Sequence, residues 1–197
     1  MFLNPEYSLV LASTSPYRRE LLQRLGITFQ AVPPQVEEAR APRETPAAMV
    51  RRLARAKAAA VAATQPQSWV IGSDQAAACG RSVLGKPLTR ARCIEQLRQC
   101  SERRVRFLTA LCLTRQDGDH RFEALDTTWV RFRRLDRASI ERYVDREHPL
   151  DCAGGFKSEG LGIALFDSID SKDPTGLVGL PLIALSRLLR KAGFSVP

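Results

Sequence analysis

Apolar residues along this chain follow two alternating rhythms. Short unbroken runs read as buried strands, and the stretches after them repeat leucines or alanines three and four residues apart, as helices do. Leu9 to Ala12 is the first run, stopped by Ser13, Thr14 and Ser15. A helix is expected from Pro16 to about Leu25, with Leu21, Leu22 and Leu25 on one face, Ser15 as N-cap and Gly26 as stop. Thr28 to Val32 reads as a strand ending at Pro33-Pro34, followed by a polar loop that holds Glu37 and Glu38. Thr45 and Pro46 open a long Ala-rich helix to about Ala63. Trp69-Val-Ile-Gly-Ser73 reads as a short buried strand ending at Asp74, and Leu88-Thr89 caps a helix through Cys100. Val105 to Thr114 and Glu123 to Arg133 are expected strands on either side of Gln116-Asp-Gly-Asp, a hairpin signal. Asp136 caps a helix to about Glu147, Leu161 to Phe166 is the last expected strand, and Leu180 to Ala192 the last helix, ended by Gly193. Strands alternating with helices, plus one hairpin, predict an α/β fold. Its mixed twisted sheet is flanked by helices, with two lobes around a central cleft, in one domain over residues 1–197.

Composition narrows the function classes. No apolar run approaches the length of a membrane span and no charged–apolar–small cleavage pattern opens the chain, so a cytoplasmic protein with no membrane partner is expected. The five cysteines are an odd number with no C-x-x-C pair, which argues for reduced thiols rather than a disulfide framework or a zinc site. A net charge of +9 raises the question of nucleic acid, but the basic residues are scattered, with no long run and no aromatic interleaving. No nucleic-acid partner is expected. The excess is mostly arginine, and lysine stands only at 57, 86, 157, 172 and 191.

Candidate chemistry begins where the first strand feeds the first helix. Backbone donors, the Ser13 hydroxyl and the adjacent Arg18 and Arg19 suit a phosphate chain, although a plain turn with a surface arginine pair reads equally well there. Asp74, at a strand end, could hold a divalent metal, deprotonate a water, or simply close a turn. Glu37 and Glu38 add hard oxygen donors. Gly80 to Lys86 fits the spacing of a phosphate-binding P-loop, but Pro87 stands where a magnesium-binding hydroxyl is needed and no strand directly precedes it. Lys86 can still act as a point charge. Lys57 reads as phosphate ligand or solvated helix face. Lys157 lies in a glycine-rich loop, Asp151 to Gly162, that would let backbone approach a ligand.

Taken together and in this order, certain segments resemble the Maf family of nucleotide pyrophosphatases. They are Leu11-Ala-Ser-Thr-Ser-Pro-Tyr-Arg-Arg19, Val36-Glu-Glu38, Ala54-Arg-Ala-Lys-Ala58, Gly72-Ser-Asp-Gln75, Gly85-Lys-Pro87, Cys152-Ala-Gly-Gly-Phe-Lys-Ser-Glu-Gly160 and Val178-Gly-Leu-Pro181. Tyr17, Gln75 and Glu159 resemble the YceF-like branch, associated with 7-methyl-GTP, rather than the dTTP/UTP branch. The resemblance implies hydrolysis between the α and β phosphates of a nucleoside triphosphate, as removal of modified nucleotides. It implies Asp74 as general base, with Ser13, Arg18, Arg19, Lys57 and Lys86 binding substrate. Tyr17, Gln75 and Glu159 would set base preference. Glu38 and Asp74, with Glu37 as a further donor where the family commonly has Asp, would hold magnesium or manganese. A cationic 7-methylguanine ring would gain about 1–2 kcal/mol on an aromatic face such as Tyr17. Two alternatives stay open: a dTTP/UTP pyrophosphatase, and a non-catalytic nucleotide-binding regulator of cell division. A homodimer is compatible with either.

Overall fold

The first apolar run forms β1 (Ser8–Ala12), which lies between and parallel to β2 (Gln30–Val32) and the start of β3 (Ser68–Cys79). Leu11 is level with Ala31 on one side and Ile71 on the other, and Ala12 with Val32 and Gly72. Val10 and Leu11 are fully buried, so β1 reads as a solid apolar run rather than an alternating one. The computed structural model describes residues 8–80, 82–116 and 120–196. The chain divides into two compact units of interleaved segments: Met1–Asp74, Thr109–Asp126 and Asp173–Pro197 in the first, Gln75–Leu108 and Thr127–Lys172 in the second.

In the first unit, α1 (Pro16–Gln23) starts where Ser15 Oγ accepts from the Arg18 amide, and α2 (Pro46–Ala62) where Thr45 Oγ1 accepts from Ala48. Each cap satisfies an amide the helix cannot, a gain of about 1 kcal/mol. Leu21 and Leu22 of α1 join Leu9, Leu11, Trp69, Ile71, Leu111 and Leu113 in the core, together with Leu185 and Leu189 of the last helix. That core fixes the end of β1, the start of α1 and the middle of β3.

The second unit holds β4 (Ser82–Leu84), α3 (Arg90–Cys100) and α4 (Arg137–Glu147), the last two capped by Thr89 and Asp136 as expected. It also holds β7 (Phe166–Asp170). Phe156 meets the edges of Phe107, Phe132 and Phe166, with ring centroids 4.8–5.5 Å apart. Strands β5 (Arg104–Thr114) and β6 (Arg121–Phe132), like β3, contribute residues to both units. The last helix, α5 (Leu182–Lys191), returns to the first unit. The sheet order is β2-β1-β3-β5-β6-β7, with β4 on β3; β4 and β7 run antiparallel to their neighbours, so the sheet is mixed.

Three expectations need correction. β3 does not end before Asp74; it runs on through it to Cys79, because Ala76, Ala77 and Ala78 are small enough to be buried in the strand and the last three residues of β3 pair with β4. Leu161–Leu165 is a 3-10 turn, not a strand: Leu161 and Ile163 are exposed, and at Gly162 the chain folds back so tightly that a Cβ would stand 2.3 Å from the Lys157 carbonyl oxygen. The strand is the next segment, β7, an exposed edge whose polar residues hid it. The first-helix stop holds, with Gly26 at φ 66°, whereas the Thr28–Val32 strand shortens to three residues. The expected turn at 117–119 lies outside the described residues. All five cysteines are free, and burial pushes the thiols of Cys93 to about 11 and Cys112 to about 12.

Candidate active site

The site begins at a glycine. A Cβ on Gly72 would stand 2.1 Å from the Ala54 carbonyl oxygen and 2.7 Å from the Ala58 nitrogen, so β3 and α2 touch backbone to backbone there. Side chains two residues apart on a strand share a face. Asp74 therefore emerges on the side where α2 passes, and Lys57 comes from the adjacent turn of that helix. The Lys57 ammonium donates to Asp74 Oδ1 at 2.6 Å and lies 2.6 Å from Glu38 Oε1. Lys57 and Asp74 are buried, whereas the Glu38 side chain is 60% exposed and closes the cluster from the solvent side.

Arg18 joins from the first turn of α1. Its Nε donates to the Gly179 carbonyl at 2.9 Å, and that carbonyl also accepts from the buried Ser73 hydroxyl at 3.2 Å. Arg18 sits close enough to feel the charges of Asp74 and Glu38. Burial lowers its pKa, and those two carboxylates oppose the shift. For Asp74 burial is again the largest influence and raises the pKa; Lys57 and Arg18 pull it back, and Glu38 adds to the rise. A buried acid held above its ordinary range beside two cations is the environment of a proton acceptor.

The remaining expected residues divide by place. Ser13 is buried in the same strand-to-helix turn, its Oγ accepting from the Ser15 amide. Arg19 diverges from Arg18 and lines an open pocket of about 440 Å³ with Gln23, Ile27, Thr28, Phe29 and Ala31. Glu37 is exposed, and its charge acts on Arg52, which makes a two-pronged bond to Glu44 at 2.7 and 2.9 Å. Tyr17, half-buried on α1, belongs to the first unit; Gln75, Lys86 and Glu159 belong to the second. The P-loop spacing holds no P-loop, because Ser82–Leu84 within it is strand β4, although a strand does directly precede it, contrary to expectation: β3 ends at Cys79. Gly85, before Lys86, offers its carbonyl to Gln96 Nε2 at 3.2 Å and to the Gly154 amide at 3.4 Å. Exposed Glu159 accepts from Ser158 Oγ at 3.1 Å, while Lys157 pairs with Glu147 at 3.8 Å.

Sequence reasoning missed the network behind this cluster. Asp173, 3% exposed, accepts from the Ile183 and Ala184 amides with Oδ2, and so caps α5 from a distance. Its Oδ1 accepts from Thr175 Oγ1 at 2.6 Å, and that hydroxyl accepts from the Leu182 amide. The Thr109 hydroxyl holds the Gly176 carbonyl at 2.9 Å. The Asp-Pro-Thr-Gly run at 173–176 signals a turn, but nothing local shows that the turn is buried and carries Gly179.

A family described as Maf-like protein matches residues 8–192. A protein of Xanthomonas oryzae pv. oryzae named 7-methyl-GTP pyrophosphatase is 56% identical over 189 residues, 96% of this chain and 98% of that one. Proteins of the same name from Pseudomonas syringae pv. tomato and Nitrosococcus oceani are 51% and 48% identical, each over 96% of this chain and over 99% and 95% of their own.

Proposed function

The chain belongs to the Maf-like family, and we propose that it is a nucleoside triphosphate pyrophosphatase that converts 7-methyl-GTP and water to 7-methyl-GMP and pyrophosphate. The observation that carries the reading is the buried Lys57–Asp74 pair, closed by Glu38 and flanked by Arg18. Lys57 engages Oδ1, which leaves Oδ2 to take a proton from water. The water oxygen bonds to the α-phosphorus, the bond from that phosphorus to the bridging oxygen breaks, and pyrophosphate leaves with the electron pair. Arg18 and Lys57 stabilise charge gathering on the phosphate oxygens.

The donor set also fits a divalent cation of a particular kind. Magnesium uses one or two carboxylates together with substrate phosphate oxygens, and Glu38 and Asp74 supply two. Among the described residues no group of three or more His, Cys, Asp or Glu gathers as a resident metal cage. A cation arriving with the triphosphate, held by Glu38 and Asp74, would neutralise phosphate charge. Glu37 is not needed for it.

Chromatographic identification of products tests this reading, with 7-methyl-GTP, GTP, UTP and dTTP each given magnesium or manganese. Pyrophosphate and 7-methyl-GMP are expected, with loss of turnover in excess EDTA. Release of orthophosphate alone would overturn the cleavage site. Exchanging Tyr17, Gln75 and Glu159 for arginine, threonine and glutamine is expected to move the kcat/KM ratio toward UTP; an unchanged ratio would remove their proposed role. Because Asp74 must be ionised to accept a proton and its pKa lies above the ordinary 3.8, the acid limb of kcat/KM is expected above that value. A profile flat down to pH 4 would exclude Asp74 as the base.

A further inference from the structure

We infer that Ser73 is a positioning residue that aims the Arg18 guanidinium, acting through the carbonyl of Gly179. The inference rests on the reading of Arg18 as a phosphate-binding group. A carbonyl oxygen has two lone pairs, and at Gly179 two side chains use them: Arg18 Nε at 2.9 Å and Ser73 Oγ at 3.2 Å. A guanidinium is a rigid planar fork. Fixing its Nε bond therefore fixes the plane of the group and the direction of both terminal nitrogens. Those two nitrogens make no hydrogen bond or ion pair among the described residues, although the charges of Asp74 and Glu38 reach the group. They are a bidentate donor kept for an oxyanion.

Gly179 is built as the post for this bond. Its φ of 126° belongs to glycine, and its amide is held by the carbonyls of Thr175 and Gly176, each at 3.2 Å. The Gly176 carbonyl is tied in turn to Thr109. Ser73 connects the post to β3 one residue before Asp74, and the serine itself is fully buried. The orientation of the guanidinium is thus registered against the strand that carries the acid. A plain structural reading, in which Ser73 satisfies a buried carbonyl and nothing more, predicts a different mutational pattern.

A double-mutant cycle separates the two. Ser73→Ala is expected to lower kcat/KM for 7-methyl-GTP about tenfold in the parent and by less than about twofold in an Arg18→Ala background, because the effect passes through Arg18. Ser73→Cys, a weaker donor of similar size, should fall between serine and alanine, and melting curves check that each variant is folded. The same cycle run on the Kd of inorganic triphosphate needs no turnover. The Arg18 Nε–H resonance is expected to exchange slowly in the parent, where it donates to Gly179, and faster in Ser73→Ala, without any substrate present. Equal losses in both backgrounds, or an Nε–H unaffected by Ser73→Ala, would overturn the inference. A parent that hydrolyses no triphosphate would sink the proposed function instead, and the resonance would still decide the positioning.

Discussion

Replacing Asp74 with asparagine is expected to lower kcat by about 10²- to 10⁴-fold, the range of a lost general base, while leaving a protein at least as stable as the parent. The two halves have one cause. Burial holds the Asp74 pKa above its ordinary 3.8, and the nearby cations Lys57 and Arg18 only partly offset the shift. The folded state therefore binds the Asp74 proton more tightly than the unfolded state does. By linkage, the associated stability is fully present below the unfolded pKa and is lost as pH rises through the folded one. At neutral pH the ionised carboxylate is a standing cost to the fold, and asparagine keeps the shape without the charge. Melting curves of parent and variant should thus agree most closely at low pH and diverge in the variant's favour toward neutrality. Turnover within tenfold of the parent would remove Asp74 from the chemistry. A variant destabilised more at neutral pH than in acid would show that the Lys57 pairing outweighs the burial.

The second large effect is on stability. Gly72→Ala is expected to cost about 3 kcal/mol, the upper part of the range for forcing atoms into a packed interior, read as a lower denaturation midpoint. The neighbours that a Cβ would strike are the Ala54 carbonyl oxygen at 2.1 Å, the Ala58 nitrogen at 2.7 Å and the Ala58 Cβ at 2.9 Å. The first two are backbone of α2, so no rotamer change can make room, and the helix itself must move. The movement also carries Lys57 off Asp74, so activity falls in whatever fraction remains folded. Gly85→Ala is the matching control: nothing lies within 4 Å of its Cβ position, and a change within about 0.5 kcal/mol is expected, as at most surface sites. Equal midpoints for the two variants would mean that β3 and α2 are not locked at Gly72.

Lys57 shows how far the chain could be read in advance. Its surroundings of alanine and arginine suggest a solvated face, yet Val50, Leu53, Ala54, Lys57, Ala58 and Val61 recur at helical spacing and are all buried. The signal was present as a lysine inside an apolar stripe. Alanine carries so little hydrophobic contrast that the stripe is faint. Asp74 was legible as an acid beside a buried strand, but the strand's continuation was not, since alanines serve helices and strands alike. β7 was missed for the opposite reason: an exposed edge strand has no apolar face to betray it.

What the chain declares by itself is local. Ser15, Thr45, Thr89 and Asp136 each accept from an amide three residues on, and the helices begin where those caps say they do. Caps, proline and glycine stops act over a few residues, so their effects can be read from a few residues. Arg18, Ser73 and Gly179 lie far apart in the chain and meet at one oxygen atom. Lys57 and Asp74 meet because two backbones close on a glycine. Burial, opposed by Lys57 and Arg18, then raises the Asp74 pKa, and only tertiary packing brings that burial about.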